Sequence, residues 1–177
     1  MSSANRERHA VRRLTIVTES QRQELADVLI DCIEGGASVG FMHPLTPAKA
    51  FAFWGWVAGD VENGARALLV AEDALGIVGT VQILLDQPEN QPHRADISKM
   101  LVHRRARRRG IGAALMRAAE DTAHHCGKSL LVLDTASDDA ERLYARMGWN
   151  VVGAIPGYAL WPQGGFCSTR FYYRKLD

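Results

Sequence analysis

The stretch that most constrains the fold runs Ser-Lys-Met-Leu-Val-His-Arg-Arg-Ala-Arg-Arg-Arg-Gly-Ile-Gly-Ala-Ala-Leu, from Ser98 to Leu115. Met100, Leu101 and Val102 read as the end of a short apolar strand. Behind them Ile111, Leu115, Ala118 or Ala119, Thr122 and Cys126 recur at helical spacing. A strand must therefore pass into a helix through a basic loop that ends in Gly110 and Gly112. The first N–H groups of a helix lack internal partners and carry the positive end of its dipole, so this entry offers an anion both donors and charge. The two glycines would let the backbone approach that anion closely.

Two familiar phosphate motifs do not fit. A dinucleotide fingerprint would place its third glycine where Leu115 stands, and no acidic ribose partner closes a following strand at the expected distance. Gly127-Lys128-Ser129 mimics the end of a P-loop, but Thr122 occupies the position of the earlier glycine and the tripeptide follows a helix. Nucleic acid is also disfavoured as a partner. Six arginines lie between Arg94 and Arg109, yet 21 basic residues meet 20 acidic ones across the chain, so the basic run is local. No aromatics are interleaved with it to stack bases.

With 177 residues, 47% of them apolar, the chain can bury one substantial core. A single domain spanning residues 1–177 is expected, with 1–10 flexible. The N-terminus is polar with no apolar stretch behind it, and no apolar run approaches the ~20 residues that span a bilayer. A cytoplasmic protein without a membrane partner is expected. Cys32, Cys126 and Cys167 are an odd set without metal spacing. Cys32 and Cys126 fall at core positions of expected helices, so buried thiols in a reducing compartment are the reading. His43, His93, His103, His124 and His125 also lack metal spacing and read as surface residues, so no metal is expected.

In chain order, Leu14 to Val17 reads as a first strand, and Thr18 with Gln21 forms a capping box opening a helix with Leu25, Val28, Leu29, Cys32 and Ile33 on one side. Gly35-Gly36 stops it. The segment from Ala37 to Pro44 is polar and glycine-rich yet carries Phe41 and Met42, and is either a packed surface loop or a ligand-facing one. Thr46-Pro47 opens a second helix lined by Ala50, Trp54, Val57, Ala58 and Val61. Strands follow at Ala67–Glu72, Ile77–Leu85 and Ala95–Val102. In the last of these, alternation puts Asp96, Ser98, Met100 and Val102 on one face and Ile97, Lys99 and Leu101 on the other. Beyond the glycine-led helix, Leu130–Asp134 is a buried strand, and Ser137 or Asp138 caps a helix carrying Ala140, Leu143, Tyr144 and Met147. Trp149–Gly153 is a strand, Pro156 to Phe166 an aromatic, glycine-rich loop, and Ser168–Lys175 the last strand. The order βααβββαβαββ implies a mixed α/β fold, one sheet with helices on both faces.

Arg107-Arg108-Arg109-Gly110-Ile111-Gly112 resembles the Arg/Gln-x-x-Gly-x-Gly signature of the GNAT acetyltransferases, and the element order over nearly the whole chain is theirs too. The resemblance implies a mostly antiparallel mixed sheet and acetyl-CoA as the coenzyme. It implies coenzyme contacts along the backbone of Met100, Leu101 and Val102, at Arg107, Arg108, Arg109, Gly110, Ile111, Gly112 and Ala113, and at Ser137 and Tyr144. Ser137 stands where many members carry an asparagine. Gly35 to Met42, Leu133-Asp134-Thr135 and Pro156-Gly157-Tyr158 further resemble the tabtoxin-resistance branch, whose members acetylate a β-lactam-containing amino acid.

Acetyl transfer to an amine needs a neutral amine, a held thioester carbonyl and a proton for the departing thiolate. An alkyl ammonium with a pKa near 10 is neutral in only about one part in 10³ at pH 7, so a carboxylate base is expected. Asp96 and Asp134 are the candidates. Asp96 matches the position where some GNAT enzymes carry a glutamate base, and Asp134 ends a central strand, where α/β sheets bind ligands. Each could equally be an ion-paired strand carboxylate, Asp96 with Arg94 or Lys99. By resemblance, Tyr144 protonates the coenzyme sulfur; otherwise it is a core aromatic. Phe41, Met42 and Tyr158, with Asp96 and Asp134, are expected to line the acceptor site. The expected activity is N-acetylation of a small amine, such as a toxin or antibiotic. Alternatives are a protein-lysine or N-terminal acetyltransferase and a non-catalytic acyl-CoA sensor. A homodimer is an open option.

Overall fold

The computed structural model describes residues 10–176. Apart from Ala10, the N-terminal residues expected to be flexible lie outside them. Local signals set most helix starts. Thr18 Oγ1 accepts from the Gln21 amide while Gln21 Oε1 accepts from the Thr18 amide, at 3.2 and 2.9 Å, and this reciprocal cap opens α1 (Glu19–Glu34). Thr46 caps α2 (Pro47–Glu62), with proline at its first position. Ser137, not Asp138, caps α4 (Asp138–Arg146) by accepting from the Ala140 amide.

The strands are β1 (Ala10–Leu14), β2 (Arg66–Asp73), β3 (Gly76–Leu84), β4 (Arg94–Val102), β5 (Leu130–Thr135), β6 (Asn150–Leu160) and β7 (Phe166–Lys175). A short 3-10 turn (Arg104–Ala106) precedes α3 (Ile111–His125). They form one seven-stranded sheet in the order β1-β2-β3-β4-β5-β7-β6. Every neighbouring pair is antiparallel except β4 with β5. Parallel neighbours need a crossover, and α3 supplies it.

Two strands, β1 and β6, differ from the sequence reading by more than two residues at a boundary. β1 starts and ends earlier than Leu14–Val17, because it is held by pairing with β2 from Ala10↔Glu72 to Leu14↔Leu68 and by Arg12, whose guanidinium donates to Glu72 at 2.7 and 2.8 Å. β6 runs through the segment expected to be a loop. Pro156 and Gly157 sit within it at an irregularity between Ile155 and Ala159, which an edge strand tolerates because no partner needs the missing N–H. The turn is reduced to Trp161–Gly165, closed by the Trp161 amide donating to the Gly165 carbonyl at 2.9 Å.

The sheet separates two cores. On one face Leu69, Ile83, Ala95, Ile97, Leu131 and Leu133 pack beneath α3 (Leu115, Met116, Ala119) and α4 (Leu143, Tyr144). On the other, Leu68, Val70 and Leu101 pack beneath α1 (Leu25, Leu29) and α2 (Trp54, Val57). Removing a side chain such as Leu29 from this packing would cost about 2–5 kcal/mol. The alternation expected along β4 fails at Lys99. Gln82↔Ser98 is followed by Thr80↔Leu101, so one residue of β3 faces two of β4, and Lys99 takes the left-handed conformation at φ 49°. The bulge leaves Met100 and Val102 packed with Ala95 and Ile97 on the α3 side, and Leu101 on the α1/α2 side.

Among the described residues no helix is long and apolar enough to cross a membrane. All three cysteines are free. Cys32 is buried as expected, but Cys126 ends α3 only half-buried, and Cys167 is the second buried thiol.

Candidate active site

β4 and β5 are paired only at Arg94↔Leu130, Ala95↔Leu131 and Asp96↔Val132. Beyond these rungs β4 continues to Val102 and β5 to Thr135 without pairing each other. A parallel pair that parts after three rungs leaves a wedge open through the sheet, with backbone groups of the second half of β4 along one lip. Asp96 lies at the apex of the wedge, and Asp134 lies on the opposite lip.

The entry to α3 stands at the mouth of the wedge. Gly110 is the N-cap at φ 80°, in the left-handed region, and no side chain caps the helix. The first amides of α3 are therefore left for an external acceptor. The two glycines serve different ends. Gly110 is needed for its backbone angle, since a carbon added there would meet open space. Gly112 is needed for room, since a Cβ would stand 3.2 Å from Leu143 Cδ2 and 3.8 Å from Met100 Sδ. It lets α3 pack tightly onto α4 and β4.

The basic run divides by partner. Arg104 donates from its backbone and side chain to Asp31 at 2.8 and 2.9 Å and reaches Glu34, so it ties the loop to α1. Arg105 pairs with Asp73, and Arg107 Nε donates to the Val102 carbonyl at 3.1 Å. Arg108, itself left-handed at φ 63°, and Arg109 are exposed and have no ion pair among the described residues. Two free guanidinium groups flank the uncapped helix start.

Tyr144 is buried on the α3 side, its ring centroid 5.8 Å from Trp149 and 5.7 Å from Tyr172. Burial, then the charges of Asp134 and Tyr172, push its hydroxyl well above the ordinary phenol value. It stays protonated at any ordinary pH. Ser137 Oγ accepts from the Ala140 amide to cap α4, which leaves its O–H to donate to another acceptor.

The two carboxylates differ in what holds them. Asp96 is ion-paired with Arg94 and accepts from Gln87 Nε2 at 3.3 Å. Asp134 accepts from Thr169 Oγ1 at 2.8 Å and is otherwise exposed on the lip. Its cross-strand neighbour Phe171 carries Tyr158 edge-on at 5.8 Å.

The two aromatic segments meet. The His43 amide donates to the Pro162 carbonyl at 2.9 Å, and Ser38 Oγ donates to the Leu160 carbonyl at 3.2 Å. Phe41 packs edge-on against Phe53 of α2 at 5.2 Å. A Cβ on Gly40 would stand 3.9 Å from Lys99 Nζ. The segment 38–43 thus reaches from β4 to the β6–β7 hairpin across the wedge on the α1/α2 side. Met42 and Tyr158 remain about half exposed beside it, whereas Phe166, 78% exposed, points to solvent.

Lys99 on one lip of the wedge and Thr169 behind Asp134 on the other stand beside these candidates, and neither is among the residues the sequence singles out. Lys99 alternates with Ile97 on paper, and the bulge moves it to the other face of the sheet, the one Leu101 also occupies. The one signal was a charged residue inside an otherwise apolar strand end.

The model of the acetyltransferase (GNAT) family matches residues 12–149, most of the chain, and the chain belongs to that family. Solved structures share the fold. The yncA protein of Salmonella typhimurium, determined with its cofactor acetyl-CoA, is 17% identical with a TM-score of 0.77, covering 97% of this chain and 95% of that one. A phosphinothricin acetyltransferase from Sinorhizobium meliloti in complex with acetyl-CoA is 18% identical, TM-score 0.76, covering 96% and 89%. A ribosomal-protein-alanine N-acetyltransferase from Brucella melitensis is 20% identical, TM-score 0.76, covering 94% and 99%. At such identities the likeness is one of fold.

Proposed function

We propose that the chain is a single-domain N-acetyltransferase that moves the acetyl group of acetyl-CoA to a small amine. The observation that carries this reading is the wedge between β4 and β5, with the uncapped α3 and the unpaired Arg108 and Arg109 at its mouth. These features fit the coenzyme: helix amides and two guanidinium groups for a pyrophosphate, and the backbone of Met100, Leu101 and Val102 for an extended arm. When bound, acetyl-CoA supplies an electrophilic thioester carbonyl and a thiolate to be released.

The chain's own residues then divide by face. On the α3 side, Tyr144 holds a proton on its hydroxyl and donates toward the sulfur. Along the lip, an amide among Met100 to Val102 faces the charge that develops on the carbonyl oxygen. On the α1/α2 side, Asp134 accepts the proton of the incoming ammonium, directly or through a water. Asp134 is preferred to Asp96 because Arg94 and Gln87 already engage the latter. Coenzyme and acceptor would enter from opposite faces of the sheet.

The segment 38–43 and the β6–β7 hairpin close the acceptor side, which favours a small acceptor over an extended peptide needing an open groove. Likeness to phosphinothricin and tabtoxin-resistance acetyltransferases points to an amino-acid toxin or related compound. The test is kcat/KM for a library of amino acids and amino compounds against lysine-containing peptides, with products identified by mass. Faster acetylation of peptides would reject the closed site. Calorimetry of Arg109→Glu, which puts a carboxylate beside the uncapped start of α3 in place of an exposed, unpaired guanidinium, should show acetyl-CoA affinity sharply reduced; unchanged affinity in a folded protein would reject the cradle.

A further inference from the structure

The bulge in β4 turns Lys99 toward α2 and the segment 38–43, on the side of the sheet where Asp134 also faces. Its Nζ stands 5.7 Å from the Phe53 ring centroid, and Gly40 passes so close that a Cβ there would be 3.9 Å away. The ammonium has no ion pair and no hydrogen bond among the described residues. The cation whose charge reaches Lys99 is itself provided for: Arg66 holds Asp60 at 2.9 Å and lies over Trp56. Burial and the charge of Arg66 both work against a charged Lys99, while Asp134 across the wedge works in its favour. A half-buried ammonium without a counter-ion is costly, and an anion placed against it removes that cost.

Lys99 and Asp134 thus present opposite charges from the two lips of the wedge, and they do not pair with each other. A ligand carrying both signs satisfies both. Given the acetyltransferase reading above, we propose that Lys99 anchors a carboxylate of the acceptor while Asp134 receives its amine, so that the acceptor is an amino acid and not a neutral amine or a peptide lysine. Lys99 is then a specificity residue that touches substrate at the end remote from the reacting nitrogen. It forms no bond and transfers no proton.

The test compares each standard L-amino acid with its α-carboxamide, as acceptors for the wild-type chain and for Lys99→Met and Lys99→Arg. Wild type should favour the acids. Lys99→Met should lose ~10²-fold in kcat/KM for the best acid, mainly through KM, with a far smaller loss for its amide, the size expected for a charged hydrogen bond. Lys99→Arg should recover part of the loss. Equal losses on acid and amide, or a wild-type preference for amides, would overturn the proposal. Acetyl-CoA affinity by calorimetry tests the enzymatic reading separately. Should no amine of either set be acetylated, labelling of Lys99 by an amine-reactive reagent still decides. Protection by the acids and not by the amides supports the anchor, and absence of protection overturns it. Transfer of acetyl from acetyl-CoA to Lys99 itself would likewise overturn it, since the side chain would then be an acceptor.

Discussion

Thr169 of β7 donates its hydroxyl to Oδ2 of Asp134 on β5 at 2.8 Å. Thr169 is 3% exposed, so the bond is sheltered and fixes the orientation of the carboxylate at the lip of the wedge. If Asp134 is the base, Asp134→Asn should lower kcat by ~10²-fold or more with acetyl-CoA affinity retained. Thr169→Val should cost about 10-fold or less, since it removes only a neutral partner of a charged acceptor. Steady-state rates with binding measured in parallel check both. A full rate in Asp134→Asn would move the base elsewhere, to Asp96 or to water.

The division of the arginines gives a second expectation. Arg108→Ala and Arg109→Ala should each weaken acetyl-CoA about 10-fold, more at low salt than at high, because both groups are unpaired beside the uncapped helix. Arg104→Ala should leave that affinity unchanged and lower the melting temperature instead, because Arg104 binds Asp31 and Glu34 of α1. Calorimetry at two salt concentrations, with thermal unfolding, separates them. Equal affinity losses in all three would mean a diffuse basic field, not a cradle.

The thiols should differ in reactivity. Burial pushes Cys32 up to about 11, and its Sγ donates to the Val102 carbonyl at 3.6 Å. Because the folded value is the higher, this thiol contributes stability that is fully present below about pH 9 and is lost as pH rises toward 11. Near neutral pH a thiol reagent should label half-buried Cys126 first, and Cys32 and Cys167 only on unfolding. Mapping the labelled peptides by mass over time reads this directly. Labelling of Cys32 at the rate of Cys126 would contradict its burial.

What was legible in the sequence is what neighbouring residues decide. The Thr18–Gln21 box, the Thr46-Pro47 start and the glycine-led entry to α3 are local, and each appears where expected. The order of elements follows from their periodicity. Features decided by pairing were not legible. The bulge at Lys99 exists because β3 and β4 must keep register on both sides of it, and no composition marks it. Pro156 and Gly157 read as a loop because their strand lies at an edge, which only the topology reveals. The wedge itself is an absence of pairing between β4 and β5, and neither the alternation along β4 nor the apolar run of β5 gives a hint of where it begins.

Tyr144 offers the sharpest separation of packing from chemistry. Its ring fills a place between Trp149 and Tyr172, and phenylalanine keeps that ring while deleting one oxygen. Tyr144→Phe should therefore fold normally and bind acetyl-CoA as before. If the hydroxyl donates to the departing sulfur, kcat should fall ~10²-fold, because that interaction matters only as thiolate charge develops. The raised pKa, caused first by burial and then by Asp134, adds a pH signature. A phenol whose folded value lies above its unfolded one contributes stability that is present below pH ~10 and is lost as pH rises beyond it. The wild type should accordingly lose more melting temperature than Tyr144→Phe between about pH 9 and 11, while its activity should show no loss from phenol ionisation near pH 9. Single-turnover rates, in which chemistry and product release are distinct, are the measurement to make. An unchanged single-turnover rate in Tyr144→Phe would leave Tyr144 as a packing residue and require another donor for the sulfur.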